Sequence, residues 1–119
     1  MLTFKQLQEE VAEWTTSNFA NTKFSPRGDI HPFMGVVEEV GELSHALLKS
    51  EQGIRGTKEE HEEAAKDAVG DIYVYLADLC GRKGWDSQEI IESVWAKVVQ
   101  KRNWVTNPHS GVAKEEEDA

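Results

Sequence analysis

Apolar residues recur three and four positions apart along most of this chain, and this spacing constrains the fold more than any other feature. The pattern covers four segments, at about 4–19, 32–50, 57–81 and 86–104, and it is the interval at which one face of a helix repeats. Two segments begin with the spacing of a capping box, at Thr3–Gln6 and Thr57–Glu60. Because no segment has a convincing strand pattern, the sequence predicts an all-α fold.

Short connections follow the second and third predicted helices, which favours antiparallel neighbours and a four-helix antiparallel bundle. Residues 21–32 contain Pro26, Gly28 and Pro32 and are predicted to form a loop. The second half of the third helix is apolar on most sides, so we expect this helix to be central and the most buried. We predict a single domain over residues 1–112 and an acidic, disordered tail over residues 113–119.

The chain has 119 residues, with 13 basic and 22 acidic side chains and a net charge of −9. This balance disfavours stable nucleic-acid binding, which needs a surplus of Lys and Arg. It allows a small phosphorylated substrate if a divalent cation mediates the contact.

No apolar run approaches the roughly 20 residues that span a bilayer, and no signal-peptide pattern is present, so we expect a cytoplasmic protein without membrane contact. The lone cysteine, Cys80, is interpreted as a small buried apolar residue.

Acidic residues interrupt apolar stretches on two predicted helices. Glu38, Glu39 and Glu42 share neighbouring faces of the second helix, and Asp67 and Asp71 are four residues apart on the third. Two carboxylates about 5 Å apart repel by about 3 kcal/mol at an effective dielectric of about 20, but by less than about 1 kcal/mol in water. Convergence between packed helices would therefore require proton uptake or a divalent cation, and oxygen ligands suit Mg²⁺ or Mn²⁺. The alternative is a solvated groove edge without a ligand.

Two glycines lie in the middle of predicted helices, each beside an acidic residue. Gly41 and Gly70 each cost about 1 kcal/mol relative to alanine. We interpret them as positions where helices approach closely or where a ligand needs room. The alternative is that both are merely tolerated.

The two acidic segments, in this order, resemble the MazG-like all-α NTP pyrophosphatase superfamily. The resemblance is carried by residues 38–43 (EEVGEL) and 70–76 (GDIYVYL) and covers about residues 31–104. That family has a Glu-Glu-x-x-Glu helix followed by Glu-x-x-Asp on the next helix. The resemblance implies Mg²⁺-dependent hydrolysis of a ribo- or deoxyribonucleoside triphosphate to a monophosphate and pyrophosphate, in nucleotide-pool control or cleansing. The second motif departs from the family, because Ala68 stands where its glutamate would fall.

The resemblance also implies roles for the acidic residues. Glu39, Glu42 and Asp71 are expected to bind Mg²⁺, or Mn²⁺ in its place. Asp67, one residue before the departing position, is expected to supply a fourth carboxylate. Glu38 is expected to orient or deprotonate the attacking water.

Phosphate and base contacts are expected from other parts of the chain. Lys97, Lys101 and Arg102 are predicted to bind phosphate, in a basic stretch that also resembles the family, although such residues also stabilise the C-terminal end of a helix. Trp14, Phe33 and Tyr75 are candidates for a base pocket, although aromatic residues more often build a core. His31 and His45 are interpreted as solvated or hydrogen-bonding neighbours of the site, not as metal ligands.

Two other functions fit parts of the pattern. The spacing of Glu42 and His45 matches one element of a di-iron carboxylate bundle, but such bundles need this element twice. The stronger alternative is a catalytically weak or inactive helical-bundle interaction protein with a structural cation. The apolar faces exceed what four helices bury alone, and together with the family resemblance this predicts a homodimer or homotetramer.

Overall fold

The computed structural model describes residues 1–19, 28 and 30–102. Within these ranges the chain forms four helices and no strand, which confirms the all-α prediction. The helices are α1 (Phe4–Phe19), α2 (Ile30–Gln52), α3 (Lys58–Lys83) and α4 (Ser87–Arg102). The predicted tail, most of the predicted 21–32 loop and Trp104 lie outside the described residues.

Both predicted capping boxes are present. Before α1, the amide of Thr3 donates to Gln6 Oε1 at 2.8 Å, and the amide of Gln6 donates to Thr3 Oγ1 at 3.0 Å. Before α3, the same pair of bonds joins Thr57 and Glu60 at 2.9 and 3.1 Å. These bonds to the Thr57 backbone and side chain lower the pKa of Glu60. Each box therefore satisfies two amides that a helix start leaves unpaired.

Other helix limits differ from the predicted ones by a few residues. Helix α2 begins at Ile30, two residues before the predicted start, so Pro32 occupies the first turn, where a missing amide hydrogen is tolerated. Helix α3 continues to Lys83 and ends at Gly84, whose φ of 72° is left-handed, as glycine readily allows at this position. At the start of α4, Asp86 Oδ1 accepts from the Glu89 amide at 3.2 Å.

The chain divides into two compact units, Met1–Trp85 and Asp86–Ala119. The first contains α1, α2 and α3, and α3 packs against both α1 and α2, so it is central within this unit. The second contains α4. Two predictions stay untested: a four-helix antiparallel bundle of the MazG-like type, and a single domain over residues 1–112.

The buried apolar side chains of the first unit are mostly small. Among the described residues they are Val11, Ala46, Ala65, Ala68 and Ala77, and Pro32 is fully buried. Larger residues of α3 remain partly exposed, with Tyr73 at 48% and Leu76 at 40%. Helix α3 therefore packs against its neighbours mainly through buried alanines, and some of its larger side chains remain partly exposed to solvent. Across the described helices, none is long and apolar enough to cross a membrane.

Candidate functional site

Helix α2 brings three glutamates together. Glu38, Glu39 and Glu42 each offer a carboxylate oxygen, and these oxygens lie within 4.8 Å of one another. Positions three and four apart on a helix are neighbours, which places Glu42 beside the other two. Glu38 and Glu42 are exposed, whereas Glu39 is buried. We call these three residues the acidic cluster.

Glu39 is the unusual member of the acidic cluster. Its side chain is only 8% exposed, and its Oε2 atom is buried without a hydrogen-bond partner among the described residues. Burial raises the pKa of Glu39, and the nearby charges of Glu42, Asp71 and Glu38 raise it further. A buried, unpaired carboxylate oxygen costs free energy unless it is protonated or bound to a cation.

The two aspartates of α3 are placed differently from each other. Asp71 is exposed and close enough to raise the pKa of both Glu39 and Tyr75. Asp67 is also exposed. Neither aspartate belongs to the group of oxygens within 4.8 Å, which among the described residues comprises the three glutamates. Ala68, at the position of the family glutamate, is 2% exposed and belongs to the core.

Tyr75 connects the acidic cluster to the packing of α2 on α3. Its ring lies against Gly35, where a Cβ would stand 2.6 Å from the ring atom Cζ. Burial raises the pKa of the Tyr75 phenol, and the charges of Glu38, Glu39, Asp71 and Asp78 add to this effect. A Cβ built at Gly41 or Gly70 would meet no atom within 4 Å. Close approach of the helices therefore occurs at Gly35, and not at the two glycines chosen from the sequence.

An aromatic pocket of about 280 Å³ lies in the first unit. Trp14 and Tyr75, two of the three predicted base-pocket residues, line it together. Phe33 is 50% exposed and is not among the lining residues. The remaining lining residues are Thr15, His31, Pro32, Asp78 and Arg82.

An ion pair forms the polar part of this aromatic pocket. Arg82 Nε donates to Asp78 Oδ1 at 2.9 Å, and Arg82 Nη2 donates to Asp78 Oδ2 at 3.4 Å. Both side chains are largely buried, with exposures of 16% and 13%. The pocket therefore combines apolar rings with oriented hydrogen-bonding groups, as small-molecule sites generally do.

A second pocket of about 460 Å³, which we call the histidine pocket, also lies in the first unit. Two residues of the acidic cluster, Glu38 and Glu42, form part of its wall. The other lining residues are Gly41, His45, Ala46, His61 and Ala64. Its volume is within the roughly 300–1,000 Å³ of small-molecule sites.

The predicted phosphate-binding residues belong to the second unit. Lys97 and Lys101 lie on α4, and both are exposed. Arg102 is the last residue of α4, and its side chain lies outside the described residues. Their role in phosphate binding stays a prediction.

Cys80 is a partly buried free thiol on α3. Burial raises its pKa, so the nucleophilic thiolate is disfavoured at neutral pH. This agrees with its interpretation as an apolar residue.

Four polar residues that line the pockets were not selected from the sequence, namely Thr15, Asp78, Arg82 and His61. The spacing of Asp78 and Arg82, four apart on a predicted helix, could have indicated an ion pair. His61 had no comparable signal, because it lies among four glutamates at the start of α3, where the helix dipole favours acidic side chains. Comparisons of this chain with protein-family models, curated proteins and solved structures return no match.

Proposed function

We propose that this protein is a Mg²⁺-dependent nucleoside triphosphate pyrophosphohydrolase of the MazG-like type. The observation that carries the proposal is the buried, unpaired Oε2 atom of Glu39 beside two further carboxylates. Proton uptake relieves such an arrangement at low pH, and at neutral pH a divalent cation does so. Carboxylate oxygens in the absence of thiolates are the donor set that Mg²⁺ and Mn²⁺ prefer.

Glu39 and Glu42 would hold the metal from α2, and Asp71, with Asp67 as a fourth ligand, would hold it from α3. The metal, when bound, supplies charge neutralisation for the phosphate oxygens around the bond that breaks. Glu38 is exposed and adjacent to these ligands. An exposed carboxylate is suited to accept a proton from an attacking water, so Glu38 is the proposed general base.

The aromatic pocket is the proposed site of the nucleoside. Trp14 and Tyr75 offer ring surfaces for a base, and the Asp78–Arg82 pair offers polar groups at the same pocket. Tyr75 is close enough to the acidic cluster for Glu38 and Glu39 to raise its pKa. A nucleoside bound there would therefore bring its phosphates towards the carboxylates. Binding of phosphate by Lys97, Lys101 and Arg102 stays a prediction from the sequence.

Assembly into a homodimer or homotetramer is part of the proposal. Several large apolar residues of α2 are about half exposed, including Phe33, Met34, Val40 and Leu47. Phe33, Val40 and Leu47 are seven residues apart, a spacing that places them on one face of a helix. A second copy of the chain would cover this face.

A catalytically weak or inactive interaction protein with a structural cation is the second candidate. The buried methyl group of Ala68 favours it, because a core alanine replaces a carboxylate at the position where the family has a ligand. A structural cation bound by the glutamates of α2 would still relieve the charge on Glu39.

Pyrophosphate release from a panel of ribo- and deoxyribonucleoside triphosphates, with Mg²⁺ or Mn²⁺, distinguishes the two candidates. The proposed function predicts metal-dependent release that is lost in Glu39→Gln and in Asp71→Asn. Glu62→Gln is the matched control, since Glu62 is an exposed acid of α3 with no proposed role. If the folded protein releases no pyrophosphate from any nucleotide, the catalytic proposal fails and the interaction protein replaces it.

A further inference from the structure

We propose that His45 and His61 bind the pyrophosphate half of the substrate in the histidine pocket. This inference rests on the proposed function and adds a pair of substrate-binding residues to it. It starts from the composition of the pocket wall. The two imidazoles are the only side chains among the lining residues that carry N–H donors, since the others are Glu, Gly and Ala.

The acidic cluster adjoins the histidine pocket and lies near one residue of the aromatic pocket. Glu38 and Glu42 line the histidine pocket directly. Tyr75, whose pKa is raised by Glu38 and Glu39, lines the aromatic pocket. A nucleoside triphosphate cleaved between its α- and β-phosphates has a nucleoside half and a pyrophosphate half on either side of the reacting bond. With the nucleoside in the aromatic pocket, the pyrophosphate half extends towards the histidine pocket.

The position of the His61 ring is already fixed by the loop before α3. Its Nε2 atom lies 2.9 Å from the carbonyl oxygen of Ile54. Because a carbonyl oxygen only accepts, Nε2 carries a proton and donates it. Gly56 in the same loop, with φ of 131°, leaves room for the ring, since a Cβ there would stand 3.3 Å from Nε2. The ring is thus held from one side, and Nδ1 is its second polar atom.

Acidic side chains lie near His61 on two sides. Glu60 is close enough for the His61 charge to contribute to its lowered pKa. Glu38 and Glu42 face the same pocket from α2. With Nε2 bonded to Ile54, a His61 ring that also carries a proton on Nδ1 would donate it to a phosphate oxygen, and His45, which is exposed on α2, would donate from the same pocket wall. Charge-assisted bonds of this kind are the strong contacts of phosphate sites.

Calorimetric titration with two separate ligands tests the inference. The ligands are magnesium pyrophosphate and a panel of nucleoside monophosphates, each titrated into wild type, His45→Gln, His61→Gln and the double variant. The double variant is expected to lose at least about tenfold in affinity for magnesium pyrophosphate, the value of one hydrogen bond to a charged group. Its affinity for the monophosphates should be unchanged. Lys66→Gln, which removes an exposed cation of α3 outside both pockets, is the control.

The possible results separate this inference from the proposed function. Unchanged pyrophosphate affinity in the double variant, with turnover intact, overturns the histidine assignment and leaves the function standing. An equal loss for both ligands also overturns it, because that result indicates a structural effect. A third result is that the double variant loses pyrophosphate binding selectively although the wild-type protein hydrolyses no nucleotide. That result supports an anion site at the two histidines and overturns only the proposed catalytic function.

Discussion

The contact between Gly35 and Tyr75 makes the sharpest prediction about this fold. Replacing Gly35 with alanine would place a methyl group within 3 Å of the Tyr75 ring. Side-chain carbons do not approach one another that closely, so either the ring or α2 must shift. The same substitution at Gly70 meets open space, since no atom lies within 4 Å of the position that the new methyl group would occupy.

The expected magnitudes follow from two opposing terms. Alanine is favoured over glycine in a helix interior by about 1 kcal/mol. An extra methyl group in a filled contact costs about 1–3 kcal/mol. Gly35→Ala should therefore range from neutral to about 2 kcal/mol less stable, whereas Gly70→Ala should be about 1 kcal/mol more stable.

Urea unfolding of both variants measures the difference. Their free energies of unfolding should differ by about 1–3 kcal/mol, with an unchanged m value. In a Tyr75→Leu background, which removes the ring, Gly35→Ala should lose most of its cost. Equal stabilities for Gly35→Ala and Gly70→Ala would refute the argument from close approach. Under the proposed function, Gly35→Ala should also raise the KM for the nucleoside triphosphate, because Tyr75 lines the aromatic pocket.

Three further predictions concern Glu39, the capping box of α3 and the buried ion pair. The pKa of Glu39 is raised in the folded state, mainly by burial, so its stabilising contribution is present at acid pH and is lost as pH rises through the folded pKa. In thermal unfolding without metal, Glu39→Gln should therefore gain stability over wild type as the pH rises above the ordinary pKa of a glutamate, about 4.3. Under the proposed function, Mg²⁺ should raise the Tm of wild type but not that of Glu39→Gln. Thr57→Ala should cost about 1 kcal/mol in urea unfolding through loss of the cap. Arg82→Met should cost about 1.5–3 kcal/mol, because the carboxylate of Asp78 keeps its charge in a largely buried position.

Each of these three has a matched control. Glu62→Gln should leave the pH dependence of wild type intact, and the same pH dependence in Glu39→Gln would contradict the burial argument. Thr57→Ser retains the hydroxyl and should stay close to wild type. Lys66→Met breaks an ion pair whose side chains are 72% and 71% exposed, so it should cost less than about 1 kcal/mol. If it costs as much as Arg82→Met, burial is not the cause.

Helix starts could be predicted from the sequence because their hydrogen bonds are local. The bonds between Thr57 and Glu60 join residues three apart, and any chain that enters a helix at this point can form them. The grouping of Glu38, Glu39 and Glu42 could also be predicted from the sequence, because helical geometry alone brings positions three and four apart together.

Burial and the pockets were decided by tertiary structure. All three glutamates interrupt the same apolar stretch, yet only Glu39 is buried, because burial depends on which face of α2 the neighbouring helix covers. Gly35 and Gly70 both fall within helices that the sequence predicts, but of the two only Gly35 faces an aromatic ring. The local pattern of this chain determined its helices and the order of its acidic residues. The packing of α3 against α1 and α2 decided which glutamate is buried and which residues line a pocket, since burial and pocket lining depend on contacts between residues far apart in the chain.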